Sequence, residues 1–150
     1  MPALTQAADS AYRVRVLHEE PRQDEKTGLI FRRLSVEVLE VFKGRWPSQS
    51  IVKVELPGGK KGNEGLHISG IPHLAVGEEY ILFLEADWGS GVNRLSGWSA
   101  YLVVSDQRGD RFIVSAPESS IEKRTHDIRA SQLRSASSYQ NFVTEIFSSY

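Results

Sequence analysis

The apolar pattern between Leu29 and Phe42 constrains the fold of this chain more than any other stretch. Leu34, Val36 and Val38 recur at every second residue, the spacing that places side chains on one face of a β-strand. Leu39 and Val41 then take up the opposite phase. A period-2 ladder cannot bury both sets against one core. Either a β-bulge between Val38 and Leu39 resets the phase, or the end of the strand is covered on both faces. A bulge would also bend the strand enough to help close a barrel.

The rest of the chain reads as further short strands. Tyr12 to Leu17 alternates bulky apolar and charged residues, and the charge-dense run from Pro21 to Gly28 reads as an exposed turn. Lys43 to Ser48 turns into a strand from Ile51 to Leu56, and Trp46 before Pro47 reads as a packing lid on the barrel's end. Tyr80-Ile81-Leu82-Phe83-Leu84 is continuously apolar, as expected of a central strand buried on both faces. Residues Arg94 to Ser105 and Arg111 to Ser115 form a hairpin joined by Asp106 to Asp110. The opening Pro2 to Asp9 suits a short helix. After Pro117 the chain becomes rich in Ser, Arg and Lys, until Ser137 or Ser138 can cap a final helix carrying Phe142, Val143, Ile146 and Phe147. The expected fold is therefore mainly β: an OB-like, closed or partly open barrel of five to six strands, with a short N-terminal helix and a C-terminal helix. It forms one domain over residues 1–150, with the barrel at about 8–117 and the connection and helix at 118–150.

Composition narrows the function classes. With 40% hydrophobic and 25% charged residues the chain has the make-up of a globular protein rather than a disordered one. A formal charge of -1 gives no electrostatic reason to expect nucleic acid or an acidic membrane surface. No apolar run approaches the ~20 residues that cross a bilayer as a helix. The start Met1-Pro2-Ala3-Leu4 lacks the basic and apolar regions of a signal peptide, so the chain is cytosolic or belongs to an exported protein whose leader has been removed. The absence of cysteine removes disulfides, thiolate nucleophiles and Cys-ligated metal sites.

The loop Pro57-Gly58-Gly59-Lys60-Lys61-Gly62-Asn63-Glu64-Gly65 looks at first like a phosphate-binding loop. Such a loop needs a Ser or Thr after its lysine and a helix start behind it. Here Gly62-Asn63 follows the lysines, and Leu66-His67-Ile68-Ser69-Gly70 leads to a proline. The glycines instead supply positive φ angles, and Lys60 and Lys61 stand at an exposed tip. His67 and His73 lie six apart, with Glu64 upstream and His126 far downstream, and neither His-x-x-x-His nor His-Glu-x-x-His occurs. There is no Gly-x-Ser-x-Gly nucleophile elbow, and the pairs Glu19-Glu20 and Glu78-Glu79 would point to opposite faces of a strand. No cofactor or metal is expected, and an enzymatic role is disfavoured. The rings of Tyr80, Phe83, Trp88, Trp98 and Tyr101 could serve single-stranded nucleic acid, but Glu78, Glu79, Glu85 and Asp87 surround the first three.

A wider pattern carries a resemblance. Val36-x-Val38, Val41-x-Lys43-Gly44, Val52-x-Val54, Pro57-Gly58-Gly59, Gly62 and Leu95-Ser96-Gly97 contribute to it. So does the long string Ser69-Gly70-x-Pro72-x-Leu74-x-x-Gly77-Glu78-x-Tyr80-x-Leu82-Phe83-Leu84. From about Ala8 to Pro117 the chain is similar to a bacterial domain family of exported proteins, sometimes found beside matrixin-like metalloprotease domains. It also resembles OB barrels of the netrin-module and metalloproteinase-inhibitor type. The resemblance implies export to the periplasm or beyond, while the composition equally permits a cytoplasmic protein. The cysteine framework of animal netrin modules is missing, as is the N-terminal cysteine that chelates zinc in the inhibitors, so that inhibitory mechanism does not carry over. The expected function is a non-catalytic protein-binding or regulatory module, with Lys60, Lys61, Asn63, Trp88, Trp98 and Tyr101 as candidate contact residues. The alternatives are oligonucleotide or oligosaccharide binding through Trp88, Trp98 and Tyr101, or an enzyme with a site of unfamiliar form.

Overall fold

The computed structural model describes residues 9–66, 70–86, 93–115 and 137–147. It is built from β1 (Ser10–Gln23), β2 (Ile30–Lys43), β3 (Ile51–Pro57), β4 (Gly59–Lys61), β5 (Glu64–Leu66), β6 (Glu79–Ala86), β7 (Asn93–Ser105), β8 (Arg111–Ser115), β9 (Ser137–Ser138) and one helix, α1 (Tyr139–Phe147). Among the described residues no helix is long and apolar enough to cross a membrane. The proposed N-terminal helix lies outside the described residues.

Seven strands form one sheet in the order β3-β2-β1-β6-β7-β8-β9, and β3 also pairs with β7 in parallel, so that five strands make a ring. The antiparallel run β1-β2-β3 with β6 returning beside β1 is a Greek-key order. The closing joint is short: Val54 faces Asn93 and Glu55 faces Arg94. The Asn93 side-chain amide reinforces it by donating to the Lys53 carbonyl at 3.2 Å.

The phase break in β2 is resolved by a bulge. Arg13 pairs with Glu40 and Val14 with Val38, which leaves Leu39 as the extra residue. Val41 thereby comes opposite Tyr12, though at the rim it keeps 39% of its surface exposed. A second bulge in β1 leaves Leu17 unpaired and exposed. Beyond it β1 continues through Pro21 to Gln23, paired residue for residue with β2, where the sequence suggested an exposed turn. β6 pairs with β1 only up to Arg15, so Pro21 sits where its missing N–H costs no bond on that flank.

Two apolar layers result. Tyr80, Leu82 and Leu84 of β6 point into the ring with Tyr12, Val14, Val16, Leu34, Val36, Val38, Val52, Val54 and Leu56. Ile81 and Phe83 point outward, where Ala11, Val103, Ile113, Tyr139 and Phe142 cover them. β6 is thus buried on both faces, as its unbroken apolar run requires. Ser138 caps α1 by accepting from the Asn141 N–H at 3.2 Å, and Phe142 settles 5.0 Å from the ring of Tyr101. Ile71 and Leu74 in the irregular segment before β6 join the inner layer and plug it.

Two buried tyrosines tie loops to this core. The Tyr80 hydroxyl accepts from the Ala75 N–H at 2.8 Å, and the Tyr12 hydroxyl accepts from the Trp46 N–H at 3.1 Å. The indole of Trp46 itself is partly exposed, with the Arg45 guanidinium 5.5 Å over its ring.

Candidate functional site

The glycine-rich loop folds as a hairpin of its own. Lys61 pairs with Glu64 across the two-residue turn Gly62-Asn63, in which Gly62 has φ 62° and Asn63 does not have a positive φ. Glycine at the first of two turn positions is the signature of a type II′ hairpin, whose twist matches its strands. Lys60, Lys61 and Asn63 are all exposed on it. Gly58 and Gly59 also have positive φ, and Gly59 lies so close to Arg32 that an added Cβ would stand 3.0 Å from Arg32 Cγ. On the other side Gln23 donates to Glu64 at 2.6 Å. The hairpin is therefore laid over the end of the β1–β2 arm.

Beneath it lies a polar group that periodicity alone places. Ile30, Arg32 and Leu34 share the inward face of β2, and Glu19 shares that face as the partner of Leu34. Arg32 retains 13% side-chain exposure. Its Nη1 donates to His73 Nδ1 at 3.3 Å, which requires the imidazole proton on Nε2, and stands 3.6 Å from Glu19 Oε1. A charge at an otherwise apolar strand position was the sequence signal that could have found Arg32.

A second charged cluster lies on the outer face. Arg13 donates to Glu79 at 2.7 Å and to Glu40 at 3.3 Å, and Arg15 donates to Glu79 at 2.8 Å. The Tyr139 hydroxyl donates to Glu40, and the Arg111 guanidinium stands 4.0 Å over the Tyr139 ring. Burial, and then the hydrogen bond to the Glu40 carboxylate, push the Tyr139 phenol far above its ordinary value. This cluster clamps α1 to the sheet.

Burial alone would raise the Glu79 carboxyl, but the hydrogen bonds from Arg15 and Arg13 outweigh it and hold Glu79 below its ordinary 4.5. A carboxyl depressed on folding contributes stability above its unfolded pKa, and that contribution is lost as the pH falls through the folded value. Glu79→Gln should therefore be less stable than the native protein at neutral pH. The gap should close as the pH is lowered below about 4, which denaturant melts across pH would reveal.

Tyr101 is half-buried between Phe83, at 6.1 Å, and Phe142, so its ring is engaged within the fold. Trp88 lies outside the described residues, as does the side chain of Trp98. The outward bases of β1 to β3 alternate with acceptors: Arg13 and Arg15 meet Glu79, Arg33 meets Glu55 at 3.5 Å, and Lys53 donates to Ser35 at 2.6 Å. Such a face presents no continuous positive strip to a phosphate backbone. Among the described residues no group of three or more His, Asp or Glu side chains is placed to hold a metal ion. His67 and His126 lie outside the described residues. Compared with family models, curated proteins and solved structures, the chain finds no match.

Proposed function

We propose that the ring is an OB-type barrel from an exported bacterial protein, and that it acts as a protein-binding or regulatory module through the β4–β5 hairpin. The hairpin carries the reading. It offers Lys60, Lys61 and Asn63 to solvent on a twisted two-stranded sheet, held by Gly59 against Arg32 and by Gln23 against Glu64. A polar surface anchored at both flanks meets a partner with little ordering cost. The Greek-key order and the parallel joint between β3 and β7 support the barrel type. Export rests on the resemblance alone. Many residues that carry that resemblance, among them Val36, Val38, Val52, Val54, Leu74, Tyr80, Leu82 and Leu84, line the inner layer, so it speaks mainly to fold.

The double variant Lys60→Glu/Lys61→Glu should melt like the native protein, because both side chains are exposed. Immobilised in parallel with the native chain and offered the same cell extract, it should lose at least one protein that the native chain retains and that salt elutes. Identical retained sets, identified by mass spectrometry, would remove the hairpin from the contact surface.

A further inference from the structure

We propose that Arg32 is a carboxylate receptor at the mouth of the ring, beneath the β4–β5 hairpin. A guanidinium offers a carboxylate two parallel donors along the edge formed by Nε–H and Nη2–H. In Arg32 the interactions with Glu19 and His73 both fall on Nη1, the nitrogen outside that edge. Nε is buried, and no group among the described residues accepts from it. None among them accepts from Nη2 either. The side chain is nevertheless fixed: Nη1 is anchored, and Gly59 lies against Cγ and Cδ, where a Cβ would stand at 3.0 and 3.3 Å. A fork anchored at Nη1, with no acceptor for its Nε edge among the described residues, is oriented to receive a planar oxyanion once the hairpin uncovers that edge.

Charge sharpens the choice of ligand. Glu19 already offsets the positive charge of Arg32 from the Nη1 side, so a point anion gains little there. What remains is a donor geometry that suits a carboxylate and not a halide. The Arg32 side chain keeps 13% exposure but Nε is buried, and a Cβ on Gly59 would stand 3.8 Å from it. Full engagement therefore moves the hairpin outward about Gly58 and Gly59, whose φ angles of 92° and 122° lie where glycine moves freely. The hairpin belongs to a separate two-stranded sheet, so this motion spares the ladder of the ring. It loses the Gln23–Glu64 hydrogen bond at 2.6 Å and strains the 2.8 Å bond from the Gly58 N–H to the Ile30 carbonyl. The carboxylate comes from a small dicarboxylic acid or from an acidic peptide segment. The second source deepens the hairpin reading above and rests on it, because Lys60 and Lys61 would then meet the flanking acids.

The test is titration of the full chain followed through the assigned Arg32 Nε–Hε resonance. Succinate and a tetraglutamate peptide are the two probes, with chloride as control. The expected result is a saturable shift of that resonance with at least one carboxylate probe at millimolar concentration and none with chloride. Arg32→Lys keeps the charge but loses the fork, and should weaken binding about tenfold. If that variant does not fold, the native titration decides alone. Lys60→Glu/Lys61→Glu should weaken the peptide and leave succinate unchanged. If succinate binds and the lysine variant changes neither probe, the Arg32 site stands and the hairpin contact falls. No shift with either probe, an equal shift with chloride, or undiminished binding by Arg32→Lys would overturn the proposal.

Discussion

Replacing Gly44 by alanine is expected to lower stability by about 3–5 kcal/mol. Two independent causes combine. Gly44 has φ 127°, a backbone conformation that costs an L-residue ~1–3 kcal/mol. An added Cβ would also stand 2.7 Å from Ser10 Cβ and 2.9 Å from Tyr12 Cζ, and closer still to the Tyr12 hydroxyl. Tyr12 cannot retreat, since its side chain is wholly buried in the inner layer and its hydroxyl holds the Trp46 N–H. Overpacking of this kind costs a further ~1–3 kcal/mol. Gly62→Ala is the control: at φ 62° it has backbone strain but nothing within 4 Å, and should cost only about 1 kcal/mol. Equal losses in urea unfolding would show that the contact with Tyr12 carries no weight.

Leu74→Ala should cost about 2–5 kcal/mol, although Leu74 belongs to no strand or helix. It is fully buried and, with Ile71, fills the inner layer from the segment leading into β6. Truncation leaves a cavity lined by residues of several strands, none of which can shift without disturbing its ladder. The surface counterpart is Leu29→Ala at the β1–β2 turn, where 57% exposure predicts a change within about 0.5 kcal/mol. The midpoint of chemical unfolding for both variants checks the contrast. A small loss at Leu74 would mean that the segment does not seal the ring.

Where burial was two-sided or alternating, the sequence spoke clearly. The apolar run of β6 and the β7–β8 hairpin follow from local rules that the structure obeys. For the phase break at Leu39 and the helix cap the sequence left two readings, of which the structure takes the bulge and Ser138. Other features depend on partners distant in sequence. Residues His18 to Gln23 carry no apolar alternation, and only the ladder with β2 makes them a strand. The exposed Leu17 becomes intelligible once the register shift beside it is seen. At Lys60 the glycines resemble a phosphate-binding loop, while the two-residue turn Gly62-Asn63 between paired Lys61 and Glu64 makes a hairpin. At Arg32 the spacing Ile30-x-Arg32-x-Leu34 sets a charge on the apolar face, but its neighbours Glu19 and His73 arrive from elsewhere in the chain and only the fold brings them together.

The brevity of the joint between β3 and β7 has a kinetic consequence. β1, β2 and β3 are consecutive in the chain, so their pairing closes short loops and can begin early. The joint instead brings together Val54 and Asn93, roughly forty residues apart, and its ladder among the described residues holds two residue pairs, beside which the Asn93 amide donates to the Lys53 carbonyl. Little is gained there until β6 has docked on β1 and carried β7 round with it. On loop-closure grounds the joint is expected to close after β1–β2–β3 and β6 have assembled, and its amides to exchange earlier than those of the long β1–β2 ladder.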